Sequence, residues 1–268
     1  MRELERNEPD TPENGPALPG LRRVAVVGAG RLGGALLNAL TAGGLEVEGP
    51  LGRGIRPTAP VVVLCVPDAA IPAAAAALRG HPGRWVGHTS GSTGLDALAC
   101  AGARGAFSLH PLGAFPLGDR RPDPFAGLGC AVAGSSAQAL ALARELAGRL
   151  GMDPFEIGEA DRAGYHAAAS LASNFVVTLL GAAEAAAAEA GLPAERVRPL
   201  LAPLALGAVR SWLELGAAGA LTGPVARGDE TTVARQRAAL AARSPELLPA
   251  WDSLVDRTRA LAASRAAA

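Results

Sequence analysis

Residues 24–37 read VAVVGAGRLGGALL: an apolar strand, then Gly28-Ala29-Gly30-Arg31-Leu32-Gly33, then an apolar helix. That order builds an anion site from backbone alone. Gly28 permits the tight turn and Gly30 lets a pyrophosphate approach the chain. Gly33 lets the helix pack close to the strand, and the helix N–H groups and dipole favour the negative charge. A bare GxGxxG is a weak signal. Here Val24, Val26 and Val27 precede it and Leu32, Leu36 and Leu37 follow it, which supplies the strand–turn–helix context. The stretch predicts a dinucleotide held by Gly28, Ala29, Gly30, Arg31, Leu32 and Gly33; a glycine-rich turn without a ligand is the alternative.

From residue 21 to about 158 the pattern alternates. Strands are predicted over 22–27, 61–66, 85–88, 106–110, 129–133 and 155–157, with a poor one at 45–51 because of Gly49-Pro50. Helices are predicted over 31–42, over 69–78 with Asp68 as its cap, and from a Ser135 or Ser136 cap to about 150. This order predicts an α/β fold, an N-terminal Rossmann domain with a doubly wound parallel sheet. Ligands of such sheets bind beyond the carboxyl ends of the strands. Val66, Pro67, His88 and Thr89 fall there as cofactor contacts, and Ser90 as a substrate contact. After Asp161 the texture changes: 162–190 reads as one long Ala-rich helix, and 194–215, 231–242 and 245–263 as further helices, with no strand between. The expected organisation is a tail at 1–20, a nucleotide domain at 21–158 and a smaller all-α domain at 159–268. A helix this apolar must be wrapped by its own domain or a second subunit, so a homodimer through the helical domain is expected.

Basic and acidic residues balance at 25 each, so net charge points to neither nucleic acid nor a membrane surface. All 25 basic residues are arginine, which excludes any mechanism that needs a lysine. Cys65, Cys100 and Cys130 are odd in number and lack a CxxC, as expected of reduced thiols in the cytoplasm. His81, His88, His110 and His166 show no metal-ligand spacing, so no metal is expected. Residues 1–20 are acidic and Pro-rich and read as a disordered tail, not a signal peptide. Apolar runs of membrane-spanning length are interrupted by Gly, Pro or polar residues, so no membrane span is expected.

An acidic residue that holds an adenosine ribose should follow the third glycine by about twenty positions. Residues 51–56 read LGRGIR, and Glu48 comes too early. Arg53 and Arg56, with Arg31 nearby, could instead neutralise a 2′-phosphate, which favours NADP (as NADPH) over NAD. Surface arginines of a GC-rich genome are the plainer reading.

His88 and His110 close adjacent strands, and either could donate to a carbonyl or shuttle a proton; the bland alternative is that each caps its loop. On the long helix His166, Ser170 and Asn174 are spaced by four, with Ser173 beside them and Thr178 beyond, so one face would carry a polar seam. Substrate or nicotinamide could satisfy it, or Ser and Thr could bond back to the helix carbonyls. Arg227, in LTGPVARGDETTV (221–233), reads as a carboxylate or phosphate clamp.

Taken together, VVGAGRLGGAL (26–36), CVPDAAI (65–71), HTSG (88–91), SLHPLGAF (108–115), YHAAASLASNF (165–175) and LTGPVARGDETTV resemble bacterial Rossmann-like proteins with a C-terminal helical domain of unknown function. That family looks like a branch of the 6-phosphogluconate-dehydrogenase-like superfamily, near ketopantoate reductases, prephenate dehydrogenases, pyrroline-carboxylate reductases and deazaflavin-dependent NADP reductases. The resemblance implies hydride transfer from NADPH to a small carboxylated keto compound, ketopantoate being the named candidate, with substrate between the domains. Imine reduction and a non-catalytic dinucleotide sensor or assembly module are the alternatives. The β-hydroxyacid dehydrogenase branch carries Lys four residues before Asn; here the pair is Ser170 and Asn174. The implied catalytic residues are thus Ser170 and Asn174 for orientation, with His110 or His166 supplying the proton.

Overall fold

A computed structural model describes residues 21–80, 84–117 and 121–266. The expected tail at 1–20 and His81 lie outside the described residues. The chain divides into two compact units after Ser170.

The first unit is built on seven strands: β1 (Arg23–Val27), β2 (Glu46–Leu51), β3 (Val61–Leu64), β4 (Trp85–His88), β5 (Gly105–Pro111), β6 (Gly129–Gly134) and β7 (Asp153–Glu156), in the spatial order β2-β1-β3-β4-β5-β6-β7. β1 to β5 pair in parallel, as does β6 with β7. β5 and β6 run antiparallel, which corrects the all-parallel expectation. Among the described residues no helix joins Pro111 to Gly129, and an antiparallel neighbour needs no crossover helix.

The apolar strands bury both faces. Val24, Val26, Val61 and Val63 point to one core, shared with Leu36 and Leu40 of α1 (Arg31–Ala42) and Leu142 and Leu146 of α3 (Ala137–Arg149). Ala25, Val62 and Leu64 point to the other, with Ile71 and Ala75 of α2 (Ile71–Ala76) and Leu98. Continuous Val/Leu runs are what a two-faced strand requires. Cutting one fully buried leucine such as Leu36 to Ala should cost about 2–5 kcal/mol.

Local signals resolve in detail. Ser136 Oγ accepts the Ala139 N–H (3.2 Å) and caps α3, while Ser135 Oγ accepts the Ala106 N–H (2.9 Å) and ties the turn to β5. β2 does form despite Pro50, because it is an edge strand and needs no donor on its outer side. Asp68 does not cap a helix. It opens a 3₁₀ turn (Asp68–Ala70) before the short α2, and its carboxylate accepts Ser92 Oγ at 2.7 Å.

The expected long helix 162–190 is two. α4 (Arg162–Ala172) stops and α5 (Asn174–Glu189) starts across Ser173, whose φ of −124° and ψ of −74° are non-helical. α4 begins within the sheet unit because Arg162 and Tyr165 bond to β5 side chains, so the division falls later than residue 158.

The second unit holds α5, α6 (Ala194–Ala220, interrupted at Gly216 with φ +70°), α7 (Gly223–Ala226), α8 (Glu230–Arg243) and α9 (Leu248–Ala266). Asp229 Oδ1 accepts the Thr232 N–H (3.0 Å) and caps α8. Val197, Val233 and Val255 are the only buried apolar residues among its described residues. Phe175, Val177, Leu204, Trp212 and Leu213 are more than half exposed. By length and composition two helical runs, Glu159–Glu189 and Ala194–Ala226, are apolar enough to cross a membrane; the first is broken at Ser173 and the second at Gly216.

Candidate functional site

β1 lies between β2 and β3, so the strand order reverses at its carboxyl end, where such sheets open a crevice. Gly28 sits there at φ +114°, and a Cβ on it would strike the Cys65 carbonyl oxygen. A Cβ on Gly33 would strike the Gly28 carbonyl oxygen, which is the close strand–helix approach the motif needs. At Gly30 a Cβ would meet nothing within 4 Å. Gly30 supplies no side-chain cap and the first turn of α1 carries no acidic residue, so its N–H groups face outward uncapped. The cradle is thus shaped for an anion, and the dinucleotide phosphates fit it.

Around that cradle, Ala29 and Arg31 are exposed, Leu32 is half-buried on α1, Val66 Cγ1 packs against Gly28, and Pro67 is exposed. The Gly28 N–H donates to Leu51 O (2.9 Å), which ties the glycine loop to the end of β2. Arg53 and Arg56 are exposed in the segment that follows, where no carboxylate occurs between residues 52 and 58. Glu48 is engaged elsewhere, by Arg23 (2.8 Å) and the Thr58 N–H (2.7 Å).

His88 is fully buried, and its ring serves its own loop. Nδ1 accepts the Ser90 N–H (3.2 Å) and Nε2 lies 3.3 Å from Gly94 O, a pair that only the Nε2–H tautomer satisfies. Burial pushes its pKa below the ordinary histidine value, so it stays neutral. Ser90 Oγ is used likewise: it accepts from the Ser92 (3.2 Å) and Thr93 (3.0 Å) N–H groups and bonds Thr93 Oγ1 (2.9 Å). Thr89 is buried beside it, its N–H donating to Leu64 O (3.2 Å). The loop-holding alternative describes His88 well.

His110 is different. It ends β5 half-buried, and Gly91 makes room for its ring: a Cβ there would come within 2.8–2.9 Å of three ring atoms. Its Nδ1 is 2.7 Å from Tyr165 Oη, and the His166 ring stands edge-on at 6.0 Å. Phe155 braces the tyrosine from β7 (ring centroids 5.9 Å). Burial, followed by repulsion from His166, brings the His110 pKa down to about 4. Burial and nearby Cys130 raise Tyr165 to about 12, against the pull of Arg162. Both groups are therefore neutral at ordinary pH.

Beneath them Arg162 is 2% exposed, with Nη2 donating to Ser108 Oγ and Nε to Glu159 Oε1, each at 2.9 Å. A buried guanidinium needs such partners. Beside it an open cleft of about 470 Å³ is lined by Ser92, Gly94, Leu95, Asp96 and Glu159.

The polar seam does not run along one helix face. His166 and Ser170 are half-buried on α4, whereas Asn174 is exposed at the first residue of α5, beyond the break. Thr178 Oγ1 bonds back to Asn174 O (3.1 Å), the helix-internal alternative. Arg227 is exposed at the C-terminal end of α7 in the second unit. Among the described residues no three His, Cys, Asp or Glu side chains gather as a metal site. Sequence reasoning passed over Tyr165 and Arg162. The signal for Tyr165 was that it is the only tyrosine in the chain; Arg162 was hidden among many surface arginines.

The glycine cradle at the β1 end, the mostly parallel seven-stranded sheet and the helical C-terminal unit define a Rossmann-like protein with an all-helical C-terminal unit. Residues 128–258, from the start of β6 to within α9, match a domain of unknown function, DUF2520. No curated protein matches the chain by sequence. Among solved structures it is similar to a candidate NADP oxidoreductase, BF3122, from Bacteroides fragilis: TM-score 0.76, 20% identity, covering 89% of this chain and 98% of that one. It is also similar to protein TM1727 from Thermotoga maritima: TM-score 0.69, 23% identity, covering 90% and 99%. A third is a reductive aminase from Aspergillus terreus, in complex with NADPH and ethyl-5-oxohexanoate: TM-score 0.61, 18% identity, covering 89% and 93%. At these identities the likeness establishes the fold.

Proposed function

We propose that the protein is an NADP-dependent reductase that transfers a hydride to a small carboxylated keto compound, with ketopantoate the leading candidate. The observation that carries this reading is the glycine cradle: two glycines enforce its shape, and the third leaves open space at uncapped N–H groups. Gly28, Ala29, Gly30, Arg31, Leu32 and Gly33 would hold the phosphates, with Val66, Pro67 and Thr89 along the strand ends. Arg53 and Arg56 follow β2 where a carboxylate would select NAD, and their charge suits the 2′-phosphate of NADP. When bound, the reduced nicotinamide supplies the hydride. The chain's own residues then position the acceptor and manage the proton. Ser170 of α4 is a polar group for orienting it, and His110 and His166 are the histidines near the strand end.

The second unit buries three valines while several large apolar side chains of α5 and α6 stay exposed, so we read it as one half of a homodimer. The free thiols at Cys65, Cys100 and Cys130 accord with a cytoplasmic protein. The test is to mix the purified protein with NADPH and a panel of 2-keto acids, ketopantoate included, and cyclic imines, following loss of nicotinamide absorbance. Oxidation of NADPH by a keto acid supports the proposal, and turnover of imines alone supports the imine-reductase alternative. NADPH binding without turnover of any member leaves a dinucleotide sensor.

A further inference from the structure

We infer that Tyr165 is the group that hands the proton to the substrate's carbonyl oxygen, with His110 as the positioning residue behind it. The inference rests on the reductase reading and assigns its proton donor. Tyr165 Oη is held at 2.7 Å by His110 Nδ1, and the phenol ring is clamped between Phe155 of β7 and the His110 ring (centroids 5.5 Å). The His110 ring in turn has its seat fixed by Gly91. Such a clamp fixes where the phenol oxygen sits, which is what proton transfer in a transition state requires.

The chemistry follows from which groups can give a proton. His110 is neutral, so about one molecule in a thousand carries the imidazolium at pH 7. In the tautomer with hydrogen on Nδ1 it donates to Tyr165 Oη, and the phenol O–H then points away from the ring, free for an acceptor. When the carbonyl carbon accepts hydride, its π pair moves onto oxygen. The Tyr165 O–H bond breaks and its proton joins that oxygen, giving the alcohol and tyrosinate. Nδ1–H then returns a proton to the tyrosinate while Nε2 takes one from water, so the imidazole ends as the other neutral tautomer. The groups that act electrostatically on the pair are His166 and Arg162 of α4, Cys130 of β6, and His88 and Asp68 at neighbouring strand ends. Arg162 is the cation that steadies the transient tyrosinate.

An imine behaves differently. Hydride addition to an iminium gives a neutral amine and needs no proton donor. A site built around a neutral, clamped phenol is therefore fitted to ketones, and the ratio of keto to imine turnover reports it.

The experiment uses the full-length protein with ketopantoate and 1-pyrroline-5-carboxylate as probes, and NADPH binding as the control for folding. For Tyr165→Phe we expect ketopantoate turnover to fall about 100-fold or more, imine turnover to change less than about threefold, and NADPH affinity to stay unchanged. His110→Ala should lower ketopantoate turnover and His110→Asn, which keeps an N–H near Oη, should restore part of it. Tyr165 is the chain's single tyrosine, so tyrosinate absorbance in the substrate-free protein reports it alone. The half-titration should lie near 12, where burial and Cys130 hold it. Wild-type keto turnover undiminished in Tyr165→Phe overturns this inference and leaves the reductase reading standing, as does a tyrosine that titrates near 10 in the wild type. No NADPH oxidation with any panel member overturns both.

Discussion

Lowering the pH from 7 to 5 should weaken the sheet unit through one buried ring more than through any ordinary surface histidine. His110 has a pKa of about 4 in the fold against 6.5 when free. A histidine with a depressed folded value takes up its proton first in the unfolded chain. Its contribution is intact at neutral pH, fades as the pH falls through 6.5, and is fully lost below 4. Integrating the difference in bound protons between pH 7 and 5 gives a loss of about 2 kcal/mol. His88, lowered mainly by burial, adds to it in the same direction. The assay is urea denaturation of wild type and His110→Asn at both pH values. The asparagine removes the titration while retaining a partner for Tyr165, and the carboxylates titrate alike in both proteins. Wild type should lose about 2 kcal/mol more than the variant between the two pH values. Equal losses would refute the claim that the fold keeps this ring neutral.

Three further outcomes follow from the geometry. Gly33→Ala drives a Cβ into the Gly28 carbonyl oxygen and should cost about 1–3 kcal/mol in denaturation while abolishing NADPH binding by calorimetry. Arg53→Ala should weaken NADPH about tenfold and leave NADH unchanged, since only the former carries the 2′-phosphate; equal weakening would remove the argument for NADP. Leu204→Glu combined with Trp212→Glu places charges on the exposed face of α6 and should turn a dimer into a monomer in analytical ultracentrifugation.

Much of the first unit was legible because its signals are local. The Val-rich runs, the glycine loop, the Ser136 cap and the span of α1 each follow from residues within a few positions. What stayed hidden was set by distant contacts. The reversal between β5 and β6 shows only as a missing helix signal between them. The break at Ser173 carries only a Ser-Asn pair as its local mark, within apolar residues whose helical periodicity runs straight across it. His88 and His110 look alike in sequence, each closing a strand. Only the loop geometry makes the first a buried strut and the second the partner of a tyrosine fifty-five positions away. Arg162 was discounted as one more arginine, although burial against Ser108 sets it apart.

The most direct measurement replaces Gly30 by Asp and compares dinucleotide affinity with stability. Gly30 is the N-cap of α1 with open space beside its Cα and φ near −73°, so an aspartate fits there and caps the helix. Stability should hold or rise by a few tenths of a kcal/mol, while NADPH affinity falls at least tenfold because the carboxylate occupies the place of the phosphates. Wild-type protein that binds no pyridine nucleotide, or a variant that binds it as well as wild type, would contradict the account.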